Sequence, residues 1–346
     1  MEKDNSNIIL NNTSKVWCML KLNDLIINKK NHLELIAIGF GDGQLIIIDL
    51  SKMVVYQEIN ALDEIYSLTQ FKNDNNYLIF SLSNGKMKIY ILNKNKYEHL
   101  QTLEKPEDKK TGEINKVITL SDGNIATAER GAISIWKPKM ENSKKFEFFL
   151  EIITNYDTCQ LLEVNPKIIV CGIYKNDTIK AYKKTNNKYT LLGEITNVKS
   201  HGNNSNGMAR INDNLFCSGG DYGYIYIVIV EPLQIIEKIN LSEEIDENKY
   251  TRFLHISNDG YIFTCFNKKI IQYKIIFNKY GDYEGLEEYH IIDVQEDNEA
   301  IVTTNGKIFY KIITNKEYGK SLFSFNEYRQ QLSDNVKKSL DKFLNY

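Results

Sequence analysis

The chain has 346 residues, of which 42% are hydrophobic and 25% are charged, and these fractions are typical of a folded globular protein. Its formal net charge of −2 provides no global field that would attract nucleic acid or an anionic membrane. Only four basic residues are arginine, which weakens a role in reading bases or clamping phosphates. The sequence has neither an apolar signal region near Met1 nor an 18-residue apolar stretch. We therefore expect no secretion signal, no membrane insertion and a cytoplasmic location.

Seven times along the chain a short apolar run reaches a polar turn, which usually contains glycine, and then restarts. The seven turns are residues 41–43, 83–85, 129–131, 175–177, 221–223, 267–269 and 305–306. Measured between Asp42, Asn84, Arg130, Asn176, Asp221, Lys268 and Asn305, the spacings are 42, 46, 46, 45, 47 and 37 residues. A period in the forties is the length of one four-stranded blade of a β-propeller.

The first repeat illustrates the predicted strands, which cover residues 16–22, 33–40, 44–50 and 54–59. These runs are rich in Ile, Leu, Val and Tyr and are bounded by turn residues, as strands are. The pattern predicts an all-β fold over residues 1–323, with seven four-stranded antiparallel blades. In the seventh repeat we assign strands to residues 289–294, 300–304 and 307–313. Its fourth strand is either residues 322–325 or the N-terminal segment 6–11, which is placed to close the ring beside it.

Five cysteines occur without C-x-x-C spacing, and three of them, Cys171, Cys217 and Cys265, precede turns at similar places in their repeats. Such positions favour small buried side chains, a role that a free thiol fills. We therefore interpret the cysteines as packing residues rather than as disulfide or zinc ligands. The sequence carries no recognised catalytic, nucleotide-binding or zinc motif, and its five histidines are far apart. We predict no cofactor and no enzymatic activity.

Several repeats resemble those of the WD40 family. The segment 217–228, Cys-Ser-Gly-Gly-Asp-Tyr-Gly-Tyr-Ile-Tyr-Ile-Val, resembles the second-to-third-strand signature of that family, and so does the segment 37–49. Trp136 stands where the family has its tryptophan, Tyr90 and Tyr182 occupy the same place in their repeats, and His201 resembles the family's structural histidine. The resemblance implies a propeller that binds other proteins through the rim of its central channel.

The resemblance also implies that residues at the start of each first strand line one face of that channel. These positions are Trp17, Tyr66, Asn115, Cys159, Gly207, Arg252 and Tyr289. Because Trp, Tyr and Arg dominate interface hot spots, we take Trp17, Tyr66, Asn115, Arg252 and Tyr289 as candidate protein-binding residues. The competing interpretation is that Trp17 and Tyr66 are inward-facing packing residues.

The C-terminal residues 324–346 have a different pattern. Their apolar residues recur at helical spacing and are Phe325, Tyr328, Leu332, Val336, Leu340 and Phe343. Ser324 to Glu327 resembles a helix-capping box. We predict an amphipathic helix that packs either on the propeller or in a groove of a partner protein.

Three functional interpretations follow. The first is a non-enzymatic scaffold or adaptor that binds protein subunits or peptides within a larger intracellular complex. The second is a propeller that binds a metal or small ligand at the channel mouth, with or without hydrolytic activity. The third, a nucleic-acid-associated propeller, requires a basic stripe that the linear sequence does not show.

Overall fold

A computed structural model describes residues 7–327 of the chain apart from a set of internal segments. Those segments are residues 23–24, 29–30, 72–73, 75, 110–111, 141–144, 175–176, 199–206, 220–222, 242–252, 258, 267–268, 294–300, 305–306 and 316–319. The described residues are almost entirely β-strand, with one 3₁₀ turn at Glu107–Lys109. Among them no helix is long and apolar enough to cross a membrane.

The strands are numbered here in chain order. In the first third of the chain they are β1 (Asn7–Leu10), β2 (Val16–Lys21), β3 (Leu25–Asn28), β4 (Asn31–Leu33), β5 (Leu35–Phe40), β6 (Gln44–Asp49), β7 (Val54–Asn60), β8 (Ile65–Gln70), β9 (Tyr77–Leu82), β10 (Met87–Asn93) and β11 (Lys96–Leu103). In the middle they are β12 (Ile114–Thr119), β13 (Ile125–Pro138), β14 (Phe146–Asn165), β15 (Ile168–Ile173), β16 (Thr178–Thr185) and β17 (Lys188–Ile195). The remaining strands are β18 (Met208–Arg210), β19 (Leu215–Gly219), β20 (Tyr224–Val230), β21 (Leu233–Asn240), β22 (Phe253–Ile256), β23 (Tyr261–Phe266), β24 (Lys269–Phe277), β25 (Tyr283–Asp293), β26 (Ile301–Thr304), β27 (Lys307–Asn315) and β28 (Lys320–Glu327).

Antiparallel pairing joins most of these strands into sheets that surround a central axis. Five sheets have four strands each, in the orders β2-β5-β6-β7, β11-β10-β9-β8, β18-β19-β20-β21, β22-β23-β24-β25 and β1-β28-β27-β26. A sixth sheet has the order β12-β13-β14-β15-β16-β17, and β3 and β4 form a separate hairpin. The innermost strands contact one another in succession, and the ring closes where β26 contacts β2. The described residues therefore form a β-propeller of four-stranded antiparallel blades.

The predicted count of seven separate four-stranded sheets is wrong in this structure, because five such sheets are present. The strands predicted for the third and fourth repeats belong to the single six-stranded sheet. Their separation is lost because β13 and β14 each run through a turn and pair on both sides of it. β13 pairs with β12 up to Glu129 and with β14 from Arg130, and β14 pairs with β15 from Thr158.

The ring is closed by the N-terminal strand, as predicted. β1 pairs with β28, with Asn7 opposite Ser324 and Leu10 opposite Ser321. Ile8 and Leu10 are buried in a cluster with Phe309 and Phe323, whose rings stack at 5.5 Å. The pairing of β1 with β28 covers one edge of each strand, and an uncovered edge could pair with another chain.

Two predictions about the last repeat are corrected. β26 is an inner strand because it contacts β22 and β2, so Asn305-Gly306 joins the first and second strands of its blade. In the other four-stranded sheets the predicted turn joins the second and third strands, and this difference explains the short spacing of 37 residues. Tyr289 consequently lies on β25, the outer strand of the preceding blade.

The predicted start of a C-terminal helix is also wrong. Residues 324–327 continue β28, and the predicted domain boundary at residue 323 falls inside that strand. Residues 324–327 all pair with β27, and Ser324 also pairs with Asn7 of β1, so their backbone is paired in the sheet rather than in a helix. The rest of the predicted helix lies outside the described residues.

The cores lie between neighbouring sheets, and small residues allow the sheets to approach. Gly39 on β5 is one such position, since a Cβ built there would lie 2.7 Å from both Cys18 Sγ and Ile65 Cγ2. The five cysteines are all free and buried, which agrees with the prediction that they serve packing.

One junction between sheets is ionic. Lys105, which follows β11, places its Nζ 2.9 Å from Glu129 Oε2 on β13 and 2.5 Å from Glu151 Oε1 on β14. The three side chains are only 3%, 1% and 12% exposed, respectively. Thr127 Oγ1 donates to Glu129 Oε1 at 2.6 Å and accepts from Trp136 Nε1 at 3.2 Å. This network connects the sheet that ends with β11 to the next sheet.

Candidate functional site

Four consecutive inner strands carry a pairing irregularity at the same place. In each, one residue has no partner in the register, and the residues before and after it are paired with adjacent residues of the next strand. A bulge of this kind redirects the side chain of the unpaired residue. The unpaired residues are Trp17, Tyr66, Asn115 and Cys159.

Backbone hydrogen bonds fix this register just before the bulge. Gly41 N donates to Lys15 O at 2.9 Å, and Ser83 N donates to Glu64 O at 3.0 Å. Lys15 and Glu64 therefore occupy equivalent places, each two residues before its bulged aromatic residue. Glu113 precedes β12 at the same place.

Trp17 and Tyr66 form an edge-to-face pair. Their ring centroids are 5.2 Å apart with an interplanar angle of 67°, and both side chains are half-buried. The Lys15 ammonium lies 3.7 Å from the Trp17 ring centroid. A Cβ at Gly41 would lie 3.0 Å from Trp17 Nε1, so the small residue permits the indole to lie against the turn. The two rings pack on each other and remain partly accessible.

The other first-strand positions differ from this pair. Asn115 Nδ2 donates to Thr158 O at 2.9 Å, so its amide links β12 to β14. Cys159 is buried and its thiol donates to Gly172 O at 3.4 Å. Gly207 precedes β18, whose described pairing shows no register shift, and its N–H donates to Gln160 Oε1 at 3.2 Å.

Two candidates are not placed at the rim by the structure. Arg252 lies outside the described residues. Tyr289 is on an outer strand, is 48% exposed, and has its ring 5.1 Å from that of Tyr261. The prediction that Tyr289 starts an inner strand is therefore wrong.

Of the C-terminal candidates, Phe325 lies on β28. The others lie beyond the described residues and are Tyr328, Leu332, Val336, Leu340 and Phe343.

The loop between β7 and β8 was not singled out by the sequence. Leu62 in this loop is 81% exposed and has a φ of +70°, a left-handed conformation that a branched side chain rarely adopts. Leu62 N donates to Asn60 Oδ1 at 2.8 Å, and Ala61 N donates to Gly43 O at 2.8 Å. The only sequence signal was Asn60, a residue type that favours such turns.

Carboxylates surround the Tyr66 phenol. Burial and, after it, the charges of Glu113, Glu64 and Asp63 raise the pKa of Tyr66 to about 12, and the phenol also donates a hydrogen bond to Glu64. Asp63 Oδ1 accepts from Ser83 Oγ at 3.0 Å, and Asp63 Oδ2 accepts from Asn84 Nδ2 at 2.5 Å. The rim near the aromatic pair is therefore acidic.

Within the described part of the chain, no group of three or more His, Cys, Asp or Glu residues is placed to hold a metal ion. Burial lowers the pKa of His255, on β22, to about 4, so this imidazole is neutral near pH 7.

The chain is a β-propeller with half-exposed aromatic residues and carboxylates at one rim. Its fold is similar to that of solved WD40 propellers. The structure of U3-55K and that of the RRP9 WD40 repeats each have a TM-score of 0.70 and 10% identity, over 93% of this chain and 98% of theirs. The WD40 β-propeller domain of Doa1 has a TM-score of 0.65 and 13% identity, over 94% of this chain and 97% of that domain. Neither a protein-family profile nor a curated protein matches the sequence.

Proposed function

We propose that this propeller is a non-enzymatic scaffold that binds peptides or protein subunits at the rim that contains Trp17 and Tyr66. The observation that carries the proposal is the pair of bulged aromatic residues on adjacent inner strands, which are fixed by backbone hydrogen bonds and remain partly exposed. Rigid, amphipathic aromatic side chains provide contact area at low entropic cost. The neighbouring structures support the class, because WD40 propellers generally bind other proteins.

We infer further that the ring contains seven repeating units, two of which share the six-stranded sheet. β13 turns back on itself, since Trp136 Nε1 reaches Thr127 Oγ1 at 3.2 Å, whereas nine residues of continuous strand span about 30 Å. This sheet contains a hydrophobic core, with Ile133 and Ile135 on one side and Leu161 and Ile169 on the other. A core between two halves of one sheet is the packing expected of two adjacent blades.

The segment 328–346 is proposed as a second contact point. Its apolar residues Tyr328, Leu332, Val336, Leu340 and Phe343 keep their helical spacing after the N-terminal part of the pattern is assigned to β28. The amphipathic helix over these residues remains a prediction.

Affinity capture from cells that express the chain natively tests the proposal. The test variant is Trp17→Ala/Tyr66→Ala, and the matched control is Val54→Ala/Tyr280→Ala, which removes exposed apolar surface from an outer strand and an outer loop. We expect the test variant to lose a reproducible subset of captured proteins while the control retains them. Circular dichroism verifies that both variants are folded. If the folded test variant retains every partner, binding at this rim is refuted.

A further inference from the structure

Resting on the proposed function, we propose that the rim beside the aromatic pair recognises a basic segment of a partner protein that carries an apolar side chain next to a Lys or Arg. We call this surface the acidic rim. It consists of Trp17, Leu62, Asp63, Glu64, Tyr66 and Glu113.

Leu62 is the apolar contact of the acidic rim. It is 81% exposed and is held at a φ of +70°, a conformation that carries a steric cost for residues with a Cβ. Neither its exposure nor its backbone conformation contributes to the stability of the fold. Strained residues that persist in a well-determined loop occur preferentially at binding sites, so we assign Leu62 a role in contacting a partner.

The loop that presents Leu62 is held on both sides. Ala61 N donates to Gly43 O, and Ala61 O accepts from Lys88 Nζ at 2.9 Å. Asp63 lies against the glycine turn so closely that a Cβ at Gly43 would be 2.8 Å from Asp63 N and from Asp63 O. A partner therefore meets a preorganised loop, which lowers the entropy lost on binding.

The charge of the acidic rim selects a basic partner. Within the part of the chain that the structure describes, Asp63, Glu64 and Glu113 form no ion pair. Asp63 accepts hydrogen bonds from Ser83 and Asn84, and Glu64 and Glu113 lie near the Tyr66 phenol. Of the nearby cations, Lys86 is 3.4 Å from Glu104, and Lys88 donates to the Ala61 carbonyl.

The Trp17 ring already binds a cation. Lys15 places its ammonium 3.7 Å from the ring centroid, which is within the distance at which an aromatic face attracts a positive charge. The same rim repels phosphate groups, so a nucleic acid or an anionic lipid surface does not fit it. A Lys or Arg side chain fits the carboxylates, and an adjacent apolar side chain fits Leu62.

The basic segment belongs to another protein rather than to the tail of this chain. The tail starts after Glu327, which is six residues along β28 from Ser321. Ser321 pairs with Leu10, the end of β1 that leads to Lys15 and Trp17. Six residues of strand span about 20 Å, so the tail leaves the ring on the face opposite the acidic rim.

Selection of random short peptides displayed on phage, against the purified full chain, tests this inference. We expect the enriched peptides to be basic, with Lys or Arg adjacent to Leu, Ile or another apolar residue. The binding of labelled synthetic copies, measured by fluorescence anisotropy, should weaken as salt is raised because screening reduces the attraction.

Two matched pairs of variants locate the binding. Glu64→Lys/Glu113→Lys should weaken binding about tenfold or more, whereas Glu58→Lys/Glu98→Lys, with the same change of charge on outer strands, should not. Leu62→Ser should also weaken binding about tenfold, and Leu191→Ser, which removes an exposed leucine from β17, should not. Leu62→Gly removes the side chain without the steric cost of positive φ and provides a second variant if Leu62→Ser is poorly folded.

The outcomes separate this inference from the proposed function. Recognition of a basic segment by the acidic rim is refuted if the enriched peptides are acidic or neutral. It is also refuted if basic peptides bind the rim variants as well as they bind the parent chain. Either result leaves the proposal of a peptide-binding scaffold in place. If no peptide is enriched and affinity capture finds no partner that depends on Trp17 and Tyr66, both proposals are refuted.

Discussion

Replacement of Lys105 by methionine tests how neighbouring blades are joined. The Lys105 ammonium lies between Glu129 and Glu151 at 2.9 and 2.5 Å, and the Glu129 side chain is only 1% exposed. Methionine retains most of the volume but leaves Glu129 without its cation. Removing one partner of a buried ion pair costs about 3–5 kcal/mol. We therefore expect a large loss in the free energy of unfolding at neutral pH.

Urea denaturation of the variant and the parent chain at pH 7 measures this loss. The transition is monitored by circular dichroism and by the fluorescence of Trp136, which is buried and hydrogen-bonded within the same network. The double variant Lys105→Met/Glu129→Gln serves as the control, since it leaves no unpaired charge at Glu129 and should recover most of the loss at pH 7. A cost below about 1 kcal/mol would show that the ion pair does not hold this junction.

Two further predictions concern the packing between blades. Gly39→Ala should destabilise the chain by about 1–3 kcal/mol through overpacking, because the new Cβ would lie 2.7 Å from Cys18 Sγ and Ile65 Cγ2. Gly193→Ala, whose Cβ meets its nearest neighbour at 3.5 Å, should be nearly neutral, and equal melting temperatures for the two variants would contradict the reasoning. Burial raises the pKa of Cys18, Cys171 and Cys217 from 9.0 to about 12, so stability should be lost as pH rises from about 9 towards 12, where the unfolded chain deprotonates first. Native thiols should therefore resist a thiol reagent at pH 8 until denaturant is added, and rapid labelling of the native chain would contradict their burial.

The sequence predicted the blade hairpins because their turn chemistry is local. At Gly41-Asp42-Gly43 the second glycine has a φ of +81°, and the flanking strands β5 and β6 pair without a register shift. Both strands are buried almost throughout, which explains their near-continuous apolar composition. Where a local signal determines the structure, a single sequence is sufficient to locate it.

The errors arose where long-range pairing decides the structure. Asn305-Gly306 has the same turn chemistry as the other turns, and only the contacts of β26 with β22 and β2 show which strands it joins. Ser324 to Glu327 has a plausible capping pattern, yet all four residues pair with β27, and Ser324 also pairs with Asn7 of β1, some three hundred residues earlier in the chain. Pairing within a sheet of this kind overrides local helix propensity.

The candidate site was only partly predictable for the same reason. Trp17 and Tyr66 were found because they stand at the start of first strands, but the bulge that turns both outwards depends on pairing with β5 and β9. Leu62 gave no usable signal, since its left-handed conformation follows from its own hydrogen bond to Asn60 and from that of Ala61 to Gly43. An exposed leucine in a sequence is ordinary.

The bulges also separate binding from stability on the same strands. The residue after each bulge faces inwards: Cys18 Sγ donates to Ile65 O at 3.5 Å, and Ser67 Oγ accepts from Val117 N at 3.2 Å. These bonds connect neighbouring inner strands and are buried, whereas Trp17 and Tyr66, one residue earlier, remain half-exposed. Substitutions at the aromatic positions therefore alter the surface presented to a partner without removing the bonds that connect the strands. A ring built in this way can change its binding specificity while its core contacts stay the same.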